Sequence, residues 1–242
     1  MSRLLAPGPT SVRYRILLLT FVVAFVMYID RACMGAVQPH IMREFGMDKI
    51  QMGWASSLFN FAYAAFQVPS GWMTDRYGPR AILCIAIAWW SIFTAATGLT
   101  YSFVSLAVTR FLFGIGEAAA FPAASRAILP WLPAPQRAFG QGFQHSGSRF
   151  GAAVAPVIAA ALATSFGWRH VFFLFGALGL GLALYWMWYF RDHPDDHRGV
   201  NAAEHELLAT AVLPRRNKNQ HVPWGRILRH RDLWFLTAMY FC

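Results

Sequence analysis

Apolar residues in this chain fall into long runs, broken by short polar stretches, with little of the alternation that marks half-buried strands. A helix needs about 20 mostly apolar residues to cross a bilayer. Six runs reach that length, at roughly 14–38, 50–73, 80–99, 102–129, 138–165 and 168–190. The connection Gly98-Leu99-Thr100-Tyr101-Ser102 is so short that spans 3 and 4 must form an antiparallel hairpin, and the turn at Gly167 does the same for spans 5 and 6. After Phe190 the chain turns polar until about residue 231, and from Leu233 to Cys242 it is apolar again. That last run is too short to cross a bilayer and reads as the start of a truncated seventh helix. The pattern predicts a transmembrane domain over 1–190, a central loop over 191–231 and the start of helix 7 over 232–242.

Composition agrees. The chain is 57% hydrophobic and 13% charged, where soluble domains carry about a quarter charged residues. Its 10 Trp and 21 Phe suit interfacial belts and lipid-facing surfaces. The net charge of +10 raises nucleic acid as a partner, but the placement of the charge argues otherwise. With the N-terminus in the cytoplasm, the far side of the membrane receives only Arg43, Lys49 and Arg169, and the spans hold Arg31, Arg110, Arg126 and Arg149. The rest of the 21 Lys and Arg lie in cytoplasmic segments, which is the positive-inside pattern of an integral membrane protein and leaves no call for nucleic acid. The residues Ala6 to Arg15 are polar and no small-residue cleavage site follows the first run, so no cleavable signal is expected. Cys33, Cys84 and Cys242 are too few and too scattered for a disulfide framework or a zinc site.

The spans contain charges that cost free energy to bury, and each is therefore a candidate for function. Asp30 and Arg31 sit side by side in span 1. In span 4, Arg110 and Glu117 are seven apart and share a helix face. At 1.5 Å per residue, Asp30 lies about 24 Å up span 1, while Arg110 lies about 12 Å and Glu117 about 22 Å down the returning span 4, which places Arg110 level with Asp30 and Glu117 below them. Pro122 removes a backbone hydrogen bond and is expected to bend span 4. Span 5 carries a polar stripe with Gln141, Gln144, His145, Ser148 and Arg149. His145 reads more readily as a hydrogen-bonded interior His than as a proton carrier, and Arg126 as a structural or gating residue that can snorkel. Gly176, Gly179 and Gly181 lie within an apolar span and serve packing, not nucleotide binding. His193 and His197 flank Asp195 and Asp196 but make a poor metal site.

The loop Gly71-Trp72-Met73-Thr74-Asp75-Arg76-Tyr77-Gly78-Pro79-Arg80 resembles the signature between helices 2 and 3 of the major facilitator superfamily, and helix count and loop lengths match over the whole chain. The resemblance implies an all-α membrane protein: the N-terminal six-helix half of a major facilitator fold plus a truncated seventh helix. It also implies a cytoplasmic gate latch at Gly71, Asp75, Arg76, Gly78 and Arg80. Arg110 and the small-residue run after it resemble the helix 4 motif of that family. Together with Glu117, with Tyr28-Ile29-Asp30-Arg31 and with Phe166-Gly167-Trp168-Arg169, they resemble the anion:cation symporter branch, which imports sugar acids such as hexuronates, galactonate and glucarate. The Gly147-x-x-x-Gly151 pair lacks the Gly-Pro core of the helix 5 antiporter motif, which weakens a drug-efflux reading.

Four Arg against two acids within the spans favour an anionic substrate, and the planar guanidinium fork suits a carboxylate. The expectation is that Arg31 and Arg110 hold the substrate carboxylate and that Asp30 and Glu117 carry the coupling proton. Tyr28, Gln144 and Asn60 read the hydroxyls, and Arg149 is a further candidate on chemistry alone. No cofactor is expected beyond the proton gradient, and no metal. The expected partners are a small organic anion, the lipid bilayer and a complementary C-terminal half, in a bacterial inner membrane. A facilitator, exchanger or efflux protein of the same superfamily, or a six-helix membrane sensor, are the rival readings. A membrane-embedded enzyme would need a nucleophile–base set or metal cluster, which the spans do not offer.

Overall fold

The computed structural model describes residues 8–209 together with 225, 229–232 and 234–235. The expected start of helix 7 at 232–242 and the later part of the 191–231 loop fall mostly outside the described residues. The six apolar runs become helices α1 (Val12–Phe45), α2 (Lys49–Tyr77), α3 (Pro79–Thr97), the pair α4 (Phe103–Glu117) and α5 (Ala120–Ile128), α6 (Arg137–Phe166) and α7 (Trp168–Tyr189). A short α8 (Ala202–Ala209) follows in the central loop. Among the described residues, five segments are long and apolar enough to cross a membrane: α1, α3, Phe103–Trp131, Ala134–Phe166 and α7. α2, with 29 residues, is long enough but less apolar, because Ser56, Ser57, Asn60 and Gln67 punctuate it and it buries only Met52, Ala55, Ala62, Ser70 and Thr74.

Local chemistry sets the helix ends. Asp48 and Gln51 form a capping box at the start of α2, and Ser102 and Ser105 do so for α4. The turn into α7 needs Gly167 at φ 85°, a left-handed conformation that costs a side chain dearly. Span 4 bends as its proline requires, and the break falls at Ala118–Ala119. Pro122 has no N–H for the Ala118 carbonyl four residues back. The hydroxyl of Ser70 on α2 donates to that carbonyl instead, at 3.2 Å, so the bend leaves no orphan acceptor there.

α1 packs chiefly on α6, α3 on α7 and α2 on α4. Glycine allows backbone to meet backbone in all three pairs. A Cβ on Gly151 would stand 2.5 Å from the Phe25 carbonyl, and one on Gly147 would strike that of Phe21, both on α1. Gly114 meets Phe59 of α2, and Gly176 meets Ser91 of α3, in the same way. Among the described residues the two largest apolar clusters centre on Trp90, Phe113, Trp131 and Trp186 and on Ile41, Met52, Val171 and Phe172, with a small third at Leu17, Ile128 and Leu132.

Polar ties close both ends of the bundle. At one end Trp168 donates to Glu44 (2.7 Å), and Arg169 pairs with Glu44 (2.9 Å) and donates to the Thr100 carbonyl (2.8 Å). At the other, Arg13 and Thr10 engage the fully buried Glu204 of α8. Trp131 donates to the Arg191 carbonyl (3.1 Å), and Asp192 accepts from the Arg80 amide (2.8 Å). The N-terminus, the 2–3 loop, the 4–5 connection and the start of the central loop therefore lie at one end together.

Candidate functional site

Arg31 and Glu117 form the central feature. Arg31 points from α1 toward α2 and α4, where its Nη2 reaches Glu117 Oε2 at 2.7 Å and its Nε the same oxygen at 3.2 Å. Glu117 is fully enclosed, while the Arg31 side chain keeps 27% of its surface open. Three rings surround the guanidinium, with its carbon 5.2 Å from the Tyr28 centroid, 4.9 Å from Phe59 and 4.7 Å from Tyr63. Each face-on ring attracts a cation through its quadrupole, worth about 0.5–2 kcal/mol depending on desolvation. The result is a charge fixed in place yet reachable from the open side of α2.

Asp30, although next in sequence, faces the opposite way. Its Oδ2 accepts from the Trp90 indole on α3 at 3.1 Å, and Gly179 of α7 passes close by. Arg110 is buried with it behind α1: its Nη2 donates to Thr97 on α3, and its guanidinium carbon lies 4.6 Å from the Phe113 ring and 5.8 Å from Phe172 on α7. This corrects the expected grouping in one respect, the convergence of Arg31 and Arg110. Arg110 and Glu117 do share the inward side of α4, both buried, but Glu117 pairs with Arg31. Arg31 and Arg110 do not converge on one point, because α1 turns Arg31 toward α2 and Arg110 turns toward α3 and α7. The two sides form distinct layers, one partly open and one closed. In the closed layer Asp30 Oδ1, Ser91 Oγ, Thr94 Oγ1 and Arg110 Nε have no hydrogen-bond partner among the described residues.

The remaining candidates scatter around the open side. Asn60 is exposed on α2 and donates to the Ser56 carbonyl (3.1 Å). Arg149 is exposed on α6 without an ion pair among the described residues, beside Phe150, which stacks on Phe25. His145 is also exposed, not interior, and stacks on Phe121 at 5.0 Å; Phe121 in turn meets Tyr28 edge-on at 6.2 Å. Gln144 is buried, so it does not share the open face with Arg149.

The loop motif occupies the end of the bundle where the termini of α2, α3 and α7 meet. Asp75 pairs with Arg126 of α5 at 3.5 Å, and Arg76 lies over the Trp72 and Tyr77 rings. Gly71 makes only an ordinary contact, its Cβ position 3.8 Å from Pro122. Gly78 turns at φ 88°, and a Cβ there would stand 2.7 Å from Asp192 Oδ2. Arg80 Nη2 donates to the Met187 carbonyl (2.7 Å) and Trp186 donates to the Arg80 carbonyl (3.1 Å). Sequence reasoning missed Tyr63, Trp90, Thr97 and Asp192. Trp90, Ser91, Thr94 and Thr97 form a helical-spaced polar stripe in an apolar span, which was a legible signal; Asp192 sits in a charged loop and carried none.

This is the helical, charge-centred half of a membrane transporter fold. Residues 20–242 match the Major Facilitator Superfamily, and the chain belongs to it. It is 37% identical over 231 residues to the "Probable sulfoacetate transporter SauU" of Cupriavidus necator, covering 95% of this chain and 53% of that protein. It is 33% identical to the "Probable galactarate/D-glucarate transporter GudP" of Escherichia coli K12 (90% and 51% covered) and 32% identical to the "Hexuronate transporter" of Bacillus subtilis 168 (93% and 52%). Among solved structures it superposes on a bacterial homolog of the human lysosomal transporter Spinster, inward-facing and occupied, with a TM-score of 0.70 at 27% identity, over 78% of this chain and 47% of that one. The chain thus spans about half the length of these relatives.

Proposed function

We propose that this chain forms one half of a secondary transporter for a small organic anion of the sugar-acid kind, working by alternating access as a proton symporter. The observation that carries the reading is the Arg31–Glu117 pair: a cation steadied by three rings, partly open, with its one acidic partner enclosed. Arg31 binds the substrate carboxylate through its planar fork. Glu117 is its counterion, and protonation of Glu117 frees the guanidinium for the anion, which ties proton entry to substrate entry. Asp30 is the second acid, and Arg110 balances its charge from the closed layer instead of reaching the substrate. Arg149 adds positive potential to the open side, where Tyr28 and Asn60 can read hydroxyls, while Gln144 supports them from within α6. The names of the relatives, for sulfoacetate, galactarate/D-glucarate and hexuronate, support an acid as substrate. The 71–80 loop, through Asp75–Arg126, serves as the gate latch. The basic end of the bundle, with the N-terminus and the central loop, faces the cytoplasm of a bacterium, as the positive-inside pattern requires.

The test is uptake in cells expressing this chain joined to the C-terminal half of the galactarate/D-glucarate relative. Glu117→Gln is expected to abolish accumulation driven by a pH gradient while sparing counterflow exchange, and Arg31→Lys to lower both. Unchanged pH-driven accumulation in Glu117→Gln would sink the coupling role.

A further inference from the structure

Where α7 ends, a cleft of about 540 Å³ opens, lined by Trp188, Tyr189, Arg191, Asp196, His197 and Arg198. It lies at the basic end of the bundle, and none of its residues belongs to the central site. One wall is aromatic: Tyr185 stacks on Tyr189 at 5.7 Å and Trp188 lies 5.8 Å from Tyr185. Trp188 is 70% exposed, and Tyr185 and Leu184 beside it are exposed too. Tyr and Trp at the end of a span sit at the level of lipid headgroups, so this wall marks the depth at which the cleft meets the membrane.

The rest of the lining is cationic and rich in donors. Nη1 of Arg191 donates to the Trp188 and Phe190 carbonyls, each at 2.8 Å. Those bonds fix the guanidinium over the negative end of α7 and offset it, while Nη2 and Nε make no bond among the described residues. Arg198 is exposed, with no ion pair or hydrogen bond there either. His197 stands edge-on to Trp131 and Tyr189. Its Nδ1 accepts from the Gly199 amide (3.1 Å), so in the neutral ring Nε2 carries the proton and can donate. Burial, then the charge of Arg191, lowers its pKa below the ordinary histidine value, which keeps the ring neutral. The Tyr189 hydroxyl is buried without a partner among the described residues. Asp196 is the only acid in the lining, its neighbour Asp195 being held by His205 at 2.6 Å.

We propose that this cleft is a phosphate site that takes the headgroup of an anionic phospholipid. The free edges of Arg191 and Arg198 meet the phosphate oxygens, with His197 Nε2 as a third donor. The glycerol backbone lies along Trp188 and Tyr185, and the acyl chains run down the exposed side of α7. Basic pockets beside membrane helices are suited to such headgroups, and guanidinium suits phosphate. The site is independent of the transport reading above.

The test uses the purified 242-residue chain, delipidated and then offered phosphatidylglycerol or phosphatidylcholine, with retained lipid counted by native mass spectrometry. Phosphatidylglycerol is expected to be retained in preference, and Arg198→Glu to cut that retention about tenfold, as loss of a charged hydrogen bond implies. Asp196→Asn is expected to raise it by about two- to fivefold, the scale of one exposed charge. Neither residue is buried, so both variants should keep the thermal unfolding midpoint of the parent. Millimolar inorganic phosphate or glycerol phosphate is expected to leave the bound lipid in place; displacement would overturn the lipid source and assign the site to soluble phosphate. Equal retention of the two lipids, or no effect of Arg198→Glu, would overturn the site itself.

Discussion

Asp192 does two things at once, and two substitutions separate them. Its carboxylate accepts the Arg80 amide at 2.8 Å, one of the first N–H groups of α3, which no helical carbonyl can reach. It also carries a charge into a half-buried place, where burial pushes its pKa above the ordinary aspartate value and the Arg80 amide pulls it partly back. Asp192→Ala removes the acceptor. Losing a cap of this kind costs about 1 kcal/mol. At roughly 2–4 °C per kcal/mol for a chain of this size, the unfolding midpoint should fall by about 2–4 °C. Asp192→Asn keeps an oxygen acceptor and removes the charge, so at neutral pH its midpoint should equal or exceed that of the parent. The pH dependence has a definite sign. A raised folded-state pKa means that the folded protein binds the proton more readily, so this group's contribution is full below the unfolded pKa of about 3.9 and is lost as pH rises through the folded value. The parent should therefore lose ground to Asp192→Asn as pH rises from about 4 toward 7. Tryptophan fluorescence melts in detergent across that range would show it. If Asp192→Asn at pH 7 falls as far as Asp192→Ala, the charge matters and the acceptor does not, and the reasoning fails.

Two further perturbations probe the packing. Gly151→Ala places a Cβ 2.5 Å from the Phe25 carbonyl; the overpacking cost of about 1–3 kcal/mol outweighs the gain of about 1 kcal/mol in helix propensity. Gly142 has nothing within 4 Å, so Gly142→Ala should be neutral or stabilising, and a reversed order of melting points would refute the close α1–α6 contact. Glu204→Ala leaves the buried Arg13 without its carboxylate. Hydrogen exchange over 202–209 should then rise at least about tenfold, equivalent to about 1.4 kcal/mol of lost protection; unchanged exchange would mean that Leu208 and the Asn201 hydrogen bonds to Thr10 and Gly8 hold α8 without Glu204.

The fold was legible because the bilayer demands long apolar runs and leaves few alternatives for the backbone. The ends of α3, α6 and α7 fell within a residue or two of the apolar boundaries, and Pro122 announced its bend. α1 ran on to Phe45, beyond the apolar run, because Gln38, His40, Arg43 and Glu44 continue the helix where a hydropathy pattern stops. Of the candidate site, the residue types were legible and their pairing was not. Depth along each helix placed Asp30 level with Arg110, but depth says nothing of azimuth. Successive residues on a helix point about 100° apart, so Asp30 and Arg31 had to face different neighbours. Which one met Glu117 depended on how α1 is rotated, and Gly147 and Gly151 set that rotation by seating α6 against Phe21 and Phe25. The Asp192 and Glu204 ties join residues more than 100 positions apart, and no local pattern encodes them.

The shallow burial of α2 has a mechanical consequence. Its tight seat is on α4, at Gly114, and at Ser70 it meets the carbonyl freed at the Ala118 break. That seat is backbone to backbone, as are those of α1 on α6 and of α3 on α7, but the rest of α2 buries little. When this body tilts or flexes, the compliance is therefore concentrated in α2 and in the joint between α4 and α5. Arg31 is gripped across that joint, by Glu117 at the last residue of α4 and by Phe59 and Tyr63 on α2, so a small swing there loosens the grip from both sides together.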